Sequence, residues 1–192
     1  MADATLGVNG SLIATIARLM SQSLSEEEDK AFWTGSGSGR PTGVNTYTYQ
    51  TVAGGFTDTV KADAIQKAVY RLPQGYRNGA AWVAHRAVWE KVAILKDSNN
   101  QYLLRNLLEG TSPTLKGYPT YEQNDLEQNV MFFGDFSYYW IADREGIEVK
   151  ASDEATVASR SAFERNLVHV RAEERVDGEM TLTGAVVELT NM

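Results

Sequence analysis

Apolar residues recur at three- and four-residue spacing near the start of the chain: Leu12, Ile13, Ile16, Leu19, Met20 and Leu24, with Ala31 and Phe32 continuing the stripe. No glycine or proline interrupts residues 11–33, so the pattern predicts one amphipathic helix of about six turns. Asn9 and Ser11 offer side chains that can cap its first amides. A dense turn follows, Gly35-Ser36-Gly37-Ser38-Gly39-Arg40-Pro41-Thr42-Gly43, and then a threonine- and tyrosine-rich run over 44–52 that reads as a strand. Residues 57–72 show a second helical stripe of Ala64, Ile65, Ala68, Val69 and Leu72, stopped by Pro73. A short buried strand at 80–84 leads into a third helix at 86–96 with Val88, Trp89, Val92 and Leu95 on one side.

Beyond the turn signal Asp97-Ser98-Asn99-Asn100 the period shifts towards two. Short strands are expected at 102–104, at 114–118 and 119–123 around Gly117, and at 147–150 after a Gly146 turn. The segments 130–133 and 136–142 are apolar on both faces and read as central strands joined by Gly134-Asp135. Residues 167–176 alternate, with His169, Arg171 and Glu173 on the polar side; Asp177-Gly178 reads as a hairpin turn, and 179–189 completes the β part. Helices early and strands late make this an α+β chain, not a doubly wound one.

Charge and composition narrow the function. The sum is 18 basic against 25 acidic residues, −7, which argues against binding nucleic acid through bulk electrostatics. Cysteine is absent, so disulfide scaffolds, thiolate metal sites and cysteine nucleophiles are excluded. No segment is long and apolar enough to span a membrane, and the start lacks the basic and apolar regions of a signal peptide, so a soluble, intracellular chain is expected.

Chemistry-bearing candidates are few. The glycine-rich segment follows a helix and precedes a strand, and Arg40-Pro41 stands where a phosphate-binding loop would place Lys-Ser or Lys-Thr. Position 37 is Gly, so no nucleophilic serine elbow exists there. His85 and His169 have no second histidine or carboxylate at metal-ligand spacing and read as surface or hydrogen-bonding residues. The acidic pairs Asp143 and Glu145, and Glu173 and Glu174, sit near turns or on polar strand faces without a pocket to make them catalytic. Asn9-Gly10-Ser11 matches a glycosylation sequon that matters only in a secreted protein. Catalytic, cofactor-binding and metal-binding residues are therefore all expected to be none, and the chain is expected not to be an enzyme. Aromatic side chains stand on both faces of Phe136-Ser137-Tyr138-Tyr139-Trp140; such a strand is sandwiched within the fold or covered by a neighbouring subunit, and the first is favoured.

The ordered motifs resemble those of tailed-phage major capsid proteins. Glu27-Glu28-Asp29-Lys30-Ala31-Phe32 running into the glycine-rich turn looks like the end of that family's spine helix. Leu72-Pro73 with Tyr76-Arg77, Ala81-Trp82-Val83, and Leu95-Lys96-Asp97-Ser98-Asn99 with Tyr102-Leu103-Leu104 follow in family order. So do Leu115 with Gly117-Tyr118-Pro119, Phe133-Gly134-Asp135-Phe136-Ser137 with Tyr139, Asp143-Arg144 with Gly146-Ile147, and Arg171-Ala172-Glu173 with Arg175-Val176-Asp177-Gly178. Together they cover about Leu12 to Leu189.

The resemblance implies the Hong Kong 97-type capsid fold. A peripheral (P) domain, holding the spine helix and a long β-sheet, is expected at 1–58 and 147–182. An axial (A) domain is expected at 59–146 and 183–192. It also implies a structural protein that self-assembles into pentamers, hexamers and an icosahedral head shell enclosing DNA. Such a shell belongs to the virion and is assembled in the bacterial host cytoplasm. Other copies of the chain, or a full-length capsid protein, are the implied partners, with no cofactor, no specific nucleic-acid binding and no membrane. The family's N-terminal arm and E-loop precede the spine helix. Met1 stands about ten residues before it, so both, with any crosslinking through an E-loop lysine, are expected to be missing. Two alternatives follow: a satellite- or host-encoded capsid fragment that modifies another capsid's assembly, and an encapsulin-like compartment shell. The acidic end of the helix (Glu26, Glu27, Glu28, Asp29) has the wrong sign for the helix dipole and needs solvent or basic partners; a solvated face is favoured, and in a shell basic side chains of an adjacent subunit are the alternative.

Overall fold

The first helix is longer than its stripe predicts. In the computed structural model, which describes residues 3–54, 62–96, 101–102, 113–157, 160–165 and 168–190, α1 runs Asp3–Thr34. It passes straight through Asn9 and Ser11, which therefore do not cap it. A cap is worth only about 1 kcal/mol, whereas each added residue gains one backbone bond once the helix is nucleated.

The elements after α1 are β1 Gln50–Ala53, α2 Ala62–Arg71, β2 Ala81–Ala84, α3 Arg86–Ala93, β3 Thr114–Leu115, β4 Tyr118–Glu122, β5 Met131–Gly134, β6 Tyr139–Ser152, β7 Thr156–Val157, β8 Arg160–Ser161, α4 Ala162–Arg165, β9 His169–Met180 and β10 Val186–Thr190. Six strands form one mixed sheet in the order β1-β10-β5-β2-β4-β3. Its centre is antiparallel, with Trp82 opposite Phe133 and Val187 opposite Phe133 on the other side.

Strand alternation divides the core in two. Trp82, Ala84, Met131, Phe133, Val187 and Leu189 point to the face covered by α2 and α3, where they meet Ile65, Ala68, Val88 and Val92. Val83, Phe132 and Val186 point to the opposite face, against Val44, Tyr49 and Met180 and the half-buried Trp33, Phe136 and Tyr139. Continuous apolar runs at β2 and β5 thus reflect burial on both sides.

Several sequence expectations change. Residues 44–52 are not one strand: Val44–Thr46 is a 3-10 turn, and the strand starts at Gln50. The tyrosines there serve side-chain bonds instead of a ladder, Tyr49 Oη donating to Val44 O at 2.7 Å and Tyr47 Oη accepting from Met180 N at 3.0 Å. The 136–142 segment is divided: Asp135 Oδ1 caps a 3-10 turn at Phe136–Tyr138 by accepting from Ser137 N, and only then does β6 begin. Gly146 lies within β6 at the register shift between Glu145 and Glu148, marking irregular pairing and not a turn. Asp177 and Gly178 are no hairpin either; both are paired inside β9, opposite Ala142 and Ile141. α3 ends at Ala93, short of the predicted 96, and α2 is described from Ala62. The expected helix start at 57–61, the turn at 97–100, residues 103–104 and Leu167 lie outside the described residues.

Candidate functional site

β6 and β9 form a separate two-stranded antiparallel ribbon, with Tyr139 opposite Met180 at its base and Ser152 opposite His169 at its far end. Fourteen residues at about 3.3 Å each make it roughly 46 Å long. α1, 32 residues at 1.5 Å, reaches about 48 Å. Two extended elements of matched length therefore share the ribbon's base.

The glycine-rich turn joins them. Gly35 N continues the helix bond to Ala31 O at 2.8 Å, and Gly35 O accepts from Gly43 N at 2.8 Å and from Thr46 Oγ1 at 2.8 Å. Gly37 and Gly39 hold positive φ of 76° and 67°, which folds the loop back so that Ser36 pairs with Thr42. Thr42 then reaches the ribbon: its N donates to Gly178 O at 3.0 Å, and its O accepts from Tyr139 Oη at 3.0 Å. Phe32 packs edge-on against Tyr139, with centroids 6.0 Å apart. This packing explains Gly178, where a Cβ would strike the Tyr139 hydroxyl and crowd Phe32.

Burial, followed by the neighbouring Tyr47 and Asp177, pushes the Tyr139 hydroxyl up to about 12. An unfolded tyrosine titrates near 10. Between those values the folded chain keeps a proton that the unfolded chain has released, so stability falls as pH rises through that window. Urea midpoints from about pH 9 to about pH 12 should drop in the wild type and drop less in Tyr139→Phe. Parallel curves would remove Tyr139 from the effect.

Acidic side chains gather where α1 crosses the ribbon. Burial, then Glu174, Asp143 and Asp29, raise the Glu28 carboxyl above its ordinary range. At this end of the helix Glu28 thus faces further acids of its own ribbon, while Glu26 accepts from Gln22 and Asp29 from Gln123. Of the other acidic candidates, Glu145 pairs with Arg175 at 3.3 Å and Glu173 with Arg171 at 2.5 Å, both on exposed ribbon surface. His85 caps α3, its Nδ1 accepting from Ala87 N at 3.0 Å. His169 lies far away at the ribbon end, with Nε2 shielded and without a hydrogen-bond partner among the described residues. Among the described residues no group of His, Cys, Asp or Glu could hold a metal, and no helix is long and apolar enough to cross a membrane.

The surface is unusual in what it leaves in water. None of the described side chains of α1 is buried, and Leu19 is 53% exposed. On and beyond the ribbon, Trp140 is 67% exposed, Ile141 53%, Val157 53%, Phe163 82% and Val168 54%. The aromatic segment read as sandwiched is sandwiched only in part. Phe136, Tyr138 and Tyr139 pack on the core, while Trp140 does not. Period-two patterning marks Trp140 as strand but carries no sign of whether a second layer lies over it.

Residues 6–191 match the model of the phage capsid family. Among solved structures the chain is similar to the capsid of a native GTA particle, at 26% identity and a TM-score of 0.79 over 92% of this chain and 64% of that one. It is also similar to the capsid of an empty GTA particle, at 26% identity and 0.76 over 92% and 65%. A structure from Mycobacterium phage Bobi shares the fold at 21% identity and 0.65 over 99% and 68%. The chain spans just under two thirds of the length of the GTA capsid chains. No curated protein matches the sequence.

Proposed function

The chain belongs to the phage capsid family, and from that premise we propose that it is a shell subunit whose α1 and β6–β9 ribbon make contacts with other copies. The carrying observation is the exposed apolar surface of these two elements (Leu19, Trp140, Ile141) and of the segment beyond the ribbon (Val157, Phe163), which a solitary subunit leaves in water and a packed neighbour would cover. In this reading the peripheral part comprises 1–58 and 147–182, with α1 and most of the ribbon. The axial part comprises 59–146 and 183–192, with most of the sheet. Function is then geometric, without a reaction, and the net charge of −7 keeps the wall from adhering to packaged DNA. The shell is a virion component assembled in the host cytoplasm.

Light scattering after size exclusion, with negative-stain images of the same peak, tests self-association. Rings or shells are expected in the wild type. Trp140→Asp with Phe163→Asp should shift the population towards 21.2 kDa monomer while changing stability by no more than about 0.5 kcal/mol, because both side chains are exposed. A wild-type chain that stays monomeric across a concentration series overturns the reading.

A further inference from the structure

The two faces of β9 differ in what covers them. Between the pairs Asp143–Val176 and Glu145–Arg175, β6 advances two residues against one, and on reaching Glu148–Glu173 three against two. The extra residues therefore lie in β6, and the alternation of β9 is unbroken. Glu174, Gly178 and Met180 turn towards α1 and the core: Glu174 acts on the Glu28 carboxyl, and a Cβ at Gly178 would meet Phe32 and Tyr139. On the opposite face Arg171, Arg175, Asp177 and Glu179 are exposed and Glu173 is half-buried. Lys150, opposite Arg171, and the exposed Trp140, opposite Glu179, share that outward face.

Four successive outward positions of β9 carry alternating charge: Arg171, Glu173, Arg175 and Asp177. Such a row is complementary to its own reversal. Two copies laid face to face and antiparallel, about an axis at Glu174, bring Arg171 against Asp177 of the second copy and Glu173 against its Arg175, and symmetry repeats both pairs. Moving the axis to Glu173 sets Arg171 on Arg175, and moving it to Arg175 sets Glu173 on Asp177, so charge selects one register. On β6 the same operation places Lys150 over Ala142 and Glu148 over Glu145; only the second is unfavourable, and Arg175 stands beside it. Trp140 at each end comes against Ser152 and His169 of the second copy, which covers an aromatic surface now in water.

The present partners of these charges do not bar the contact. Arg171–Glu173 and Arg175–Glu145 are pairs on exposed surface, worth about 1 kcal/mol or less. A guanidinium also has donors to spare, so each arginine adds a carboxylate from across the contact without giving up its own. Eleven residues of a two-stranded ribbon offer a face of about 36 Å by about 10 Å. That is under half of the roughly 800 Å² a side of a stable pair, so the contact is weak alone and acts beside others between copies.

We propose that the outward face of the ribbon pairs with the same face of a second copy about a two-fold axis at Glu174. The proposal rests on the shell-subunit reading and names where on the ribbon two copies meet and in which register.

Light scattering of the whole chain over a concentration series at low salt reads the association. Arg171→Glu should weaken it about tenfold or more, because symmetry turns two ion pairs repulsive, with an unchanged thermal midpoint showing that the variant is folded. Asp177→Arg and Glu173→Arg should each weaken it likewise. An equal mixture of Arg171→Glu with Asp177→Arg should recover association, since positions 171 and 177 of the two copies again carry opposite charge. The mixture of Arg171→Glu with Glu173→Arg has the same net charge but should not recover, because two like-charged pairs remain. Equal recovery in both mixtures would overturn the proposal by reducing the contact to unspecific attraction. Undiminished association of Arg171→Glu overturns it and leaves the shell reading in place. Wild-type pairs that respond to these variants but never build rings or shells keep the contact and overturn the shell reading, and a wild type monomeric throughout overturns both.

Discussion

Replacing Gly35 by alanine is expected to cost about 3 kcal/mol or more, the range reached when backbone must give way. A Cβ at Gly35 would fall on the carbonyl oxygens of Pro41 and Ala31, both main-chain atoms that cannot swing aside. The same residue's carbonyl holds Gly43 N and Thr46 Oγ1, so relieving the clash separates the helix end from the returning loop. Thr42 would then lose its positions against Gly178 and Tyr139, loosening α1 from the ribbon. Gly39→Ala provides the contrast. Gly39 has φ of 67° but open space around it, so only the left-handed backbone cost of about 1–2 kcal/mol applies. Urea midpoints of the two variants measure the difference, and equal losses would show that the loop is held by its φ angles and not by close approach.

Trp82→Ala is the second large effect. Trp82 is fully buried at the centre of the sheet, its ring 4.2 Å from that of Phe133 and tilted by 30°. Its Nε1 donates to Leu115 O at 3.1 Å, linking β2 to the start of the edge hairpin β3–β4. Truncation removes the packing, leaves a cavity and strands a buried carbonyl. The expected loss is about 3–5 kcal/mol from the side chain, with about 1 kcal/mol more for the unpaired acceptor. Against a typical domain stability of about 5–15 kcal/mol this brings the chain near unfolding. Trp82→Phe keeps most of the ring contact and should retain a measurable transition with a clearly smaller loss. If alanine costs no more than phenylalanine, the aromatic pair is not what secures the sheet centre.

Legibility followed the range of the interactions. The helical stripes at Ile65, Ala68 and Leu72 and at Val88 and Val92 were readable because the side that faces the sheet is set by local periodicity. The doubly apolar run at Met131, Phe132 and Phe133 marked a central strand for the same reason. The glycine-rich segment was readable as a turn, but its service as a clasp was not, since that depends on Gly178 and Tyr139 arriving from elsewhere. Asp177-Gly178 misled because its glycine serves the packing of Tyr139 and Phe32 and not a reversal of the chain. The hydrogen bond from the Gln123 side-chain amide to Asp29 had no sequence signal: the two are 94 positions apart, and nothing in either local pattern pairs them.

The sequence by itself determined an acidic, cysteine-free α+β chain with a long first helix, and its ordered motifs carried the family resemblance. Those properties are local or additive, so they can be read without knowing what meets what. Tertiary structure alone decided that β6 and β9 leave the sheet as a ribbon, that Trp140 faces water while Phe132 does not, and that Asp29 meets Gln123. Each depends on which distant segment supplies the second layer over a face, and period-two alternation is the same whether that layer is present or missing.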